Sequence, residues 1–265
     1  MNERLTVLLL AGSRGPADPV AQAAEVPVKA LAPVRGRAMI ERVVDTLQRY
    51  ERIGRIVIAT DDRPEAAAQF ERLARRAGVE LMAQAQSPAA TVSAALAHIG
   101  DAGFPILVTT ADHPLLTADM IETLLNASLA DADIAVALAD ADNVAAAYPN
   151  SIRTVLKLGS GRYCGCNLFL LQHPRAGGAI AFWRRMERNR KKPWRLAAAI
   201  GPKTLMLYLL GRLDLTAAFA RLSALSASNI QPVILPQPEA AIDVDKPADL
   251  ALAERILAAR ERPES

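Results

Sequence analysis

Leu5-Thr-Val-Leu-Leu-Leu-Ala-Gly-Ser-Arg-Gly15 stands near the head of the sequence, and the loop that it starts ends at Val26-Pro-Val-Lys-Ala-Leu31. Six residues of continuous apolar or β-branched character read as a strand buried on both faces, the kind found inside a parallel sheet. The switch to Ala11-Gly12-Ser13-Arg14-Gly15 ends the strand in a segment with glycine freedom. A buried strand feeding a glycine-containing loop, with one lysine fixed beyond it, is how an α/β protein holds a triphosphate. Backbone N–H groups face the anion and the ammonium adds charge.

Apolar and amphipathic segments alternate downstream. Leu5–Leu10, Arg55–Thr60, Val79–Met82, Pro105–Thr110 and Asp133–Leu138 read as buried strands, whereas Ala38–Tyr50, Pro64–Ala77, Thr91–Ile99 and Thr117–Leu129 carry apolar residues at helical spacing. This repeated βα order predicts a mostly parallel sheet with helices on both faces. Arg153–Leu158, Cys166–Leu171 and Ile230–Leu235 read as further strands, with a last helix over Pro247–Ala259 and a surface loop or short helix over Asp140–Ala147. No internal repeat or low-complexity linker divides the 265 residues, so one domain is expected, with a basic helical insertion at about 176–228.

Composition narrows the class. Hydrophobic residues make up 51% and charged residues 22%, which excludes a disordered chain. The formal net charge of +3 gives no strong field for nucleic acid. Cys164 and Cys166 are the only two cysteines; on one face of a strand they are poorly placed for a disulfide, and a reducing cytoplasm is the expected setting. No continuous apolar run approaches the roughly 20 residues of a membrane span.

Two acidic segments complement the loop. In Ile106-Leu-Val-Thr-Thr-Ala-Asp112-His113-Pro114 an aspartate follows a buried strand, at the lip of the sheet where open α/β folds bind ligands. In Ile242-Asp243-Val244-Asp245-Lys246-Pro247-Ala248-Asp249, extended backbone projects Asp243 and Asp245 to one side, so both can approach one cation. Asp249, at a helix start, suits the helix dipole.

Together these segments resemble the MobA-like nucleotidyltransferase superfamily, which contains molybdenum-cofactor guanylyltransferase, sugar-phosphate nucleotidyltransferases and methylerythritol-phosphate cytidylyltransferase. The resemblance rests on Leu10-Ala11-Gly12-Ser13-Arg14-Gly15, Pro27-Val28-Lys29, Gly36-Arg37-Ala38-Met39, the Asp112 segment and the Asp243–Leu250 segment. Ser13 in place of a second small residue, the extra residue between Pro27 and Lys29, and the longer loop over 16–25 depart from the pattern.

The resemblance implies a three-layer, Rossmann-like fold of the nucleotide-diphospho-sugar transferase type. It also implies transfer of a nucleoside monophosphate from CTP or GTP to a phosphorylated acceptor, with release of pyrophosphate. Lys29, Arg14 and Asp112 take the catalytic positions, and Leu10 to Gly15 and Lys29 the nucleotide-binding ones. Asp112, Asp245 and Asp243 take the magnesium or manganese positions. Gln84, Gln86, Ser87 and Thr91 stand where these enzymes contact base and ribose, but they read equally as a polar loop before a helix. His113, Gly165 and Asn167 stand near the acceptor, with packing or an ordinary core strand as the other reading. Two rival functions share the fold: a noncatalytic nucleotide-binding module and a glycosyltransferase consuming a nucleotide-sugar.

One region fits no part of this pattern. Phe182 to Arg195 gathers Arg184, Arg185, Arg188, Arg190, Lys191, Lys192 and Arg195 around Trp183 and Trp194, opposed only by Glu187, and an apolar helical segment comes next at Pro202–Leu210. The stretch reads either as a solvated helix or as an element facing an acidic acceptor or an anionic membrane surface.

Overall fold

The computed structural model describes residues 4–13, 15, 17–61, 63–127, 131–189 and 200–261. Its centre is a sheet in the order β10-β7-β9-β6-β1-β4-β5, made of β1 (Leu5–Ala11), β4 (Ile53–Thr60), β5 (Val79–Ala83), β6 (Ile106–Thr110), β7 (Ile134–Asp140), β9 (Gly161–Leu171) and β10 (Ile230–Leu235), with β8 (Leu156–Leu158) paired to β9. β9 runs antiparallel to both neighbours, β6 and β7, while β6-β1-β4-β5 and β7-β10 are parallel. The fold is thus α/β, with the mixed, mostly parallel sheet that the alternating pattern predicts.

The apolar run of β1 is buried on both faces. Leu5, Val7 and Leu9 pack with α2 (Met39–Arg49) and α5 (Ala118–Asn126), while Leu8 packs with α4 (Pro88–Ile99) and α7 (Gly177–Asn189). A third cluster joins α1 (Pro19–Ala23) to α10 (Pro247–Arg260) through Val20, Ile242, Val244 and Leu257. The helices α3 (Pro64–Ala74), α6 (Ala141–Ala147), α8 (Pro202–Leu209) and α9 (Leu215–Ser226) complete the set.

Local backbone features aim the side chains at the carboxyl edge of this sheet. β2 (Pro33–Val34) and β3 (Arg37–Ala38) form a hairpin whose turn residues, Arg35 and Gly36, both have positive φ, the backbone that a two-residue hairpin turn requires. Between Val136 and Leu138 the β7–β9 register slips, and Asn167 sits in the bulge with φ +47°. The strand expected over Arg153–Leu158 is confined to Leu156–Leu158, leaving Arg153 to turn inward. The helix expected to start at Thr91 starts at Pro88, because Ser87 caps it by accepting from Ala90 N–H and proline suits a first helical position.

Candidate active site

The site lies at the carboxyl ends of β1, β4 and β6, where three segments distant in sequence converge. Main-chain bonds align them: Ala111 N–H donates to the Leu10 carbonyl at 2.9 Å, and Val244 N–H to the Asp112 carbonyl at 2.8 Å. Lys29 opens a 3₁₀ turn, Lys29–Leu31, that fixes its backbone, and the residue is only 8% exposed. Its ammonium donates to Asp112 Oδ2 at 2.5 Å and to Asp245 Oδ1 at 3.0 Å. Burial alone would lower the lysine pKa, but the charges and hydrogen bonds of Asp112 and Asp245 outweigh it, so the net direction is up and the group stays cationic.

Asp112, Asp243 and Asp245 each present a carboxylate oxygen, and these atoms lie within 4.8 Å of one another. Three oxygen donors at that spacing suit a hard divalent cation. Asp112 Oδ1 is buried and has no hydrogen-bond partner among the described residues. A buried anionic oxygen left without a donor is costly unless a cation meets it, so the donor set and the orphaned oxygen together fit a bound metal.

Positioning groups lock this arrangement. Arg153 Nη1 donates to both Oδ1 and the main-chain carbonyl of Asp243, at 2.8 Å each, and its Nη2 donates to Asp249. Asn167 Nδ2 donates to the other Asp243 oxygen at 3.0 Å, an approach set by the bulge in β9. Asp249 in turn accepts from the N–H groups of Asp245 at 3.0 Å and Lys246 at 2.9 Å, so its carboxylate caps α10 and fixes the backbone that carries Asp245. Burial and the neighbouring charges of Asp112 and Asp245 push the Asp243 carboxyl upward despite Arg153.

The loop side is built from small groups. Ser13 Oγ accepts from Gly15 N–H at 3.1 Å, and Gly15 holds φ +102°, a backbone region that glycine alone enters freely. A Cβ on Gly12 would stand 1.9 Å from Gln84 Oε1, so the signature loop and the loop after β5 touch there. Arg14 lies outside the described residues. A different cation is present nearby: Arg63, after β4, donates from Nη1 to the Pro27 carbonyl at 2.7 Å, pairs with Asp61 at 3.3 Å, and brings Nη2 within 4.0 Å of where a Gly15 Cβ would be.

Other sequence candidates have structural employment. Ser87 donates to Glu187 of α7, which also accepts from Ala89 N–H at 3.3 Å. Thr91 accepts from Ala85 N–H at 2.9 Å and donates to the Ser87 carbonyl at 3.0 Å. Gln86 and Gly165 are both exposed, and a Cβ on Gly165 would meet nothing within 4 Å. His113 is 1% exposed and turns inward, its Nε2 3.4 Å from the Glu239 carbonyl. Burial lowers its pKa to about 4, more than the Glu239 carbonyl and Asp112 raise it, so the ring is neutral near pH 7.

Sequence reasoning missed Arg153 and Arg63. Neither belongs to a motif, and each acquires its partners only when segments from other parts of the chain arrive.

Residues 8–235 match the profile of the MobA-like NTP transferase domain. The chain belongs to this family. A hypothetical transferase from Thermus thermophilus is 28% identical, with a TM-score of 0.76 over 93% of this chain and 99% of that one. 4-Diphosphocytidyl-2C-methyl-D-erythritol synthase from Anaerococcus prevotii DSM 20548 is 10% identical, with a TM-score of 0.62 over 97% and 100% of the two chains. CMP:2-keto-3-deoxy-manno-octonic acid synthetase complexed with CTP is 14% identical, with a TM-score of 0.59 over 97% and 99%. The last two likenesses speak for the fold. No curated protein matches the chain.

Proposed function

We propose that this MobA-like NTP transferase moves a nucleoside monophosphate from CTP or GTP to a phosphorylated small molecule and releases pyrophosphate. One observation carries the reading: Lys29 reaches both Asp112 and Asp245, so the signature loop and the two acidic segments meet in a single charged centre. Two of the similar structures are named for cytidine nucleotide chemistry, which puts CTP first in any screen.

In this reaction a phosphate oxygen of the acceptor forms a bond to the α-phosphorus, the bond from that phosphorus to the α,β-bridging oxygen breaks, and its electron pair leaves with pyrophosphate. The acceptor is already an anion, so no general base is needed. The barrier lies in bringing anions together and stabilising charge at the reacting phosphorus. Amides of the loop that follows β1 face the triphosphate, and Lys29 supplies an ammonium beside it. Arg63 holds the Pro27 carbonyl and so sets the segment that carries Lys29, while Arg14 is the further loop cation expected from the sequence.

Asp112, Asp243 and Asp245 would hold magnesium or manganese, which when bound draws the phosphate oxygens together and offsets their charge. Arg153, Asn167 and Asp249 keep those carboxylates aimed at one point. One domain in the cytoplasm, with the basic helices as an insertion, is the accompanying proposal.

A pyrophosphate-release screen of CTP and GTP against sugar, polyol and cofactor phosphates tests the reading. Release that needs both the triphosphate and the phosphorylated acceptor supports it. Sugar transfer from a nucleotide-sugar without any pyrophosphate release would move the protein to the glycosyltransferase alternative.

A further inference from the structure

Of the basic run Phe182–Arg195, Arg190 to Arg195 lie outside the described residues; α7, which carries the first part, is joined to the start of α4. Glu187, the lone acid in the run from Arg184 to Arg195, is turned inward onto Ser87 and the Ala89 N–H at the start of α4. Its charge is therefore spent on the body of the protein, and Arg184, Arg185 and Arg188 remain exposed on α7. Arg185 lies 5.1 Å from the centre of the Phe182 ring.

The next helix, α8, has a composition that its surroundings do not explain. It reads Pro-Lys-Thr-Leu-Met-Leu-Tyr-Leu, and none of its residues is buried. Met206 is 55% exposed, Tyr208 43%, Leu209 74% and Leu210 59%. A short helix this apolar is normally covered, and contiguous exposed apolar side chains mark an interaction surface. Both ends of the helix are anchored. Arg221 Nε holds the Ile200 carbonyl at 2.9 Å before it, and the N–H groups of Arg212 and Leu213 bond the Leu207 carbonyl at 2.8 and 3.1 Å after it, with Leu213 buried. The apolar side chains are thus presented by a fixed element.

Charge decides what covers this helix. From Ile200 to Leu213 there is no acidic residue, and Lys203 and Arg212, both exposed, bracket the apolar side chains. A second copy stacked on the same face would set cations against cations. An anionic lipid surface instead offers headgroups to Lys203 and Arg212 and the acyl boundary to Met206, Leu209 and Leu210, with Tyr208 suited to the interface between them.

We infer that α8, bracketed by Lys203 and Arg212, docks the protein on the surface of an anionic phospholipid bilayer. The docking is peripheral, since no helix among the described residues is long and apolar enough to cross a membrane. It is independent of the nucleotide chemistry, because α8 contributes nothing to the centre formed by Lys29 and the three aspartates.

Co-sedimentation of the full chain with extruded vesicles tests it, comparing phosphatidylcholine alone with mixtures containing phosphatidylglycerol, at low and high salt. The expected result is binding to the anionic vesicles, weakened by salt, and little binding to the neutral ones. Leu209→Ser/Leu210→Ser should lower the partition coefficient by roughly tenfold or more through lost apolar contact. Lys203→Gln/Arg212→Gln should reduce binding to the anionic vesicles only. All four side chains are exposed, so melting temperatures should match wild type. Wild-type protein that stays in the supernatant with anionic vesicles at low salt overturns the inference, as does undiminished pelleting of Leu209→Ser/Leu210→Ser. A dimer that this variant dissociates, with no vesicle binding by the wild type, would assign the face to a second copy and overturn it too.

Discussion

Lys29 and Asp112, 83 positions apart in the chain, are joined by a 2.5 Å bond between Nζ and Oδ2. The bond places the cation of the signature loop directly on the aspartate that ends β6, with Asp245 on its other side. Lys29→Ala should therefore lower turnover by about 10²–10³-fold, the scale of losing one preorganised electrostatic group at a phosphoryl or acyl centre. It should also leave the carboxylates of Asp112, Asp243 and Asp245 less compensated, so the variant should gain more thermal stability from added magnesium than wild type does. Calorimetry with and without magnesium reads the second effect, and equal gains would count against it.

Arg153→Ala should weaken metal binding without touching the metal. The arginine side chain is 9% exposed and serves Asp243 and Asp249 at once, so its loss strands two partly buried carboxylates. A loss of about 3 kcal/mol in stability is expected, with a 10–100-fold rise in the magnesium concentration for half-maximal activity. A magnesium titration that overlays wild type would assign Arg153 to the fold alone.

Gly12→Ala should act on the nucleotide. The new methyl group would drive Gln84 from its place against the loop. Because the Gln84 tip can swing away, stability should change by less than about 1 kcal/mol, while the Michaelis constant for the triphosphate rises and that for the acceptor holds. A rise confined to the acceptor constant would place Gly12 outside the nucleotide pocket.

Asp45, on α2, gives a pH-dependent test outside the aspartate cluster. Partial burial raises its carboxyl, but hydrogen bonds from Arg76 and Arg37 outweigh that, so the net direction is down. A carboxyl with a lowered folded-state pKa adds stability above its unfolded value, near 3.9, and loses it as pH falls through the folded value. Asp45→Asn should therefore cost about 0.5–1 kcal/mol at pH 7, and the difference from wild type should shrink below about pH 4. Denaturant unfolding at both pH values measures it.

Local chemistry is readable from the chain, and long-range chemistry is not. Lys29, Asp112 and Asp245 each sit in a segment whose residue types announce a strand end, a loop or a helix start, so each stands out before their meeting is known. Asn167 stands near the acceptor by resemblance alone; a β-bulge, which leaves no trace in an apolar strand, aims its amide at Asp243. Arg153 reads as part of a strand because Thr154 to Leu158 continues the apolar alternation, although only Leu156–Leu158 pairs. Ser87 and Thr91 suit either nucleotide contacts or a helix start, and both have hydrogen bonds at the start of α4. The apolar character of α8 is visible in its residues, but its exposure depends on what packs around it.

The most direct test of nucleotidyl transfer is pyrophosphate release from CTP or GTP in the presence of magnesium and a panel of phosphorylated acceptors, run in parallel on wild type, Lys29→Ala and Asp112→Asn. Release by wild type should require the acceptor and be abolished by a chelator, and each variant should release pyrophosphate at least about 10²-fold more slowly. Equal rates from all three proteins, or release that continues without divalent metal, would refute a centre built on Lys29 and Asp112.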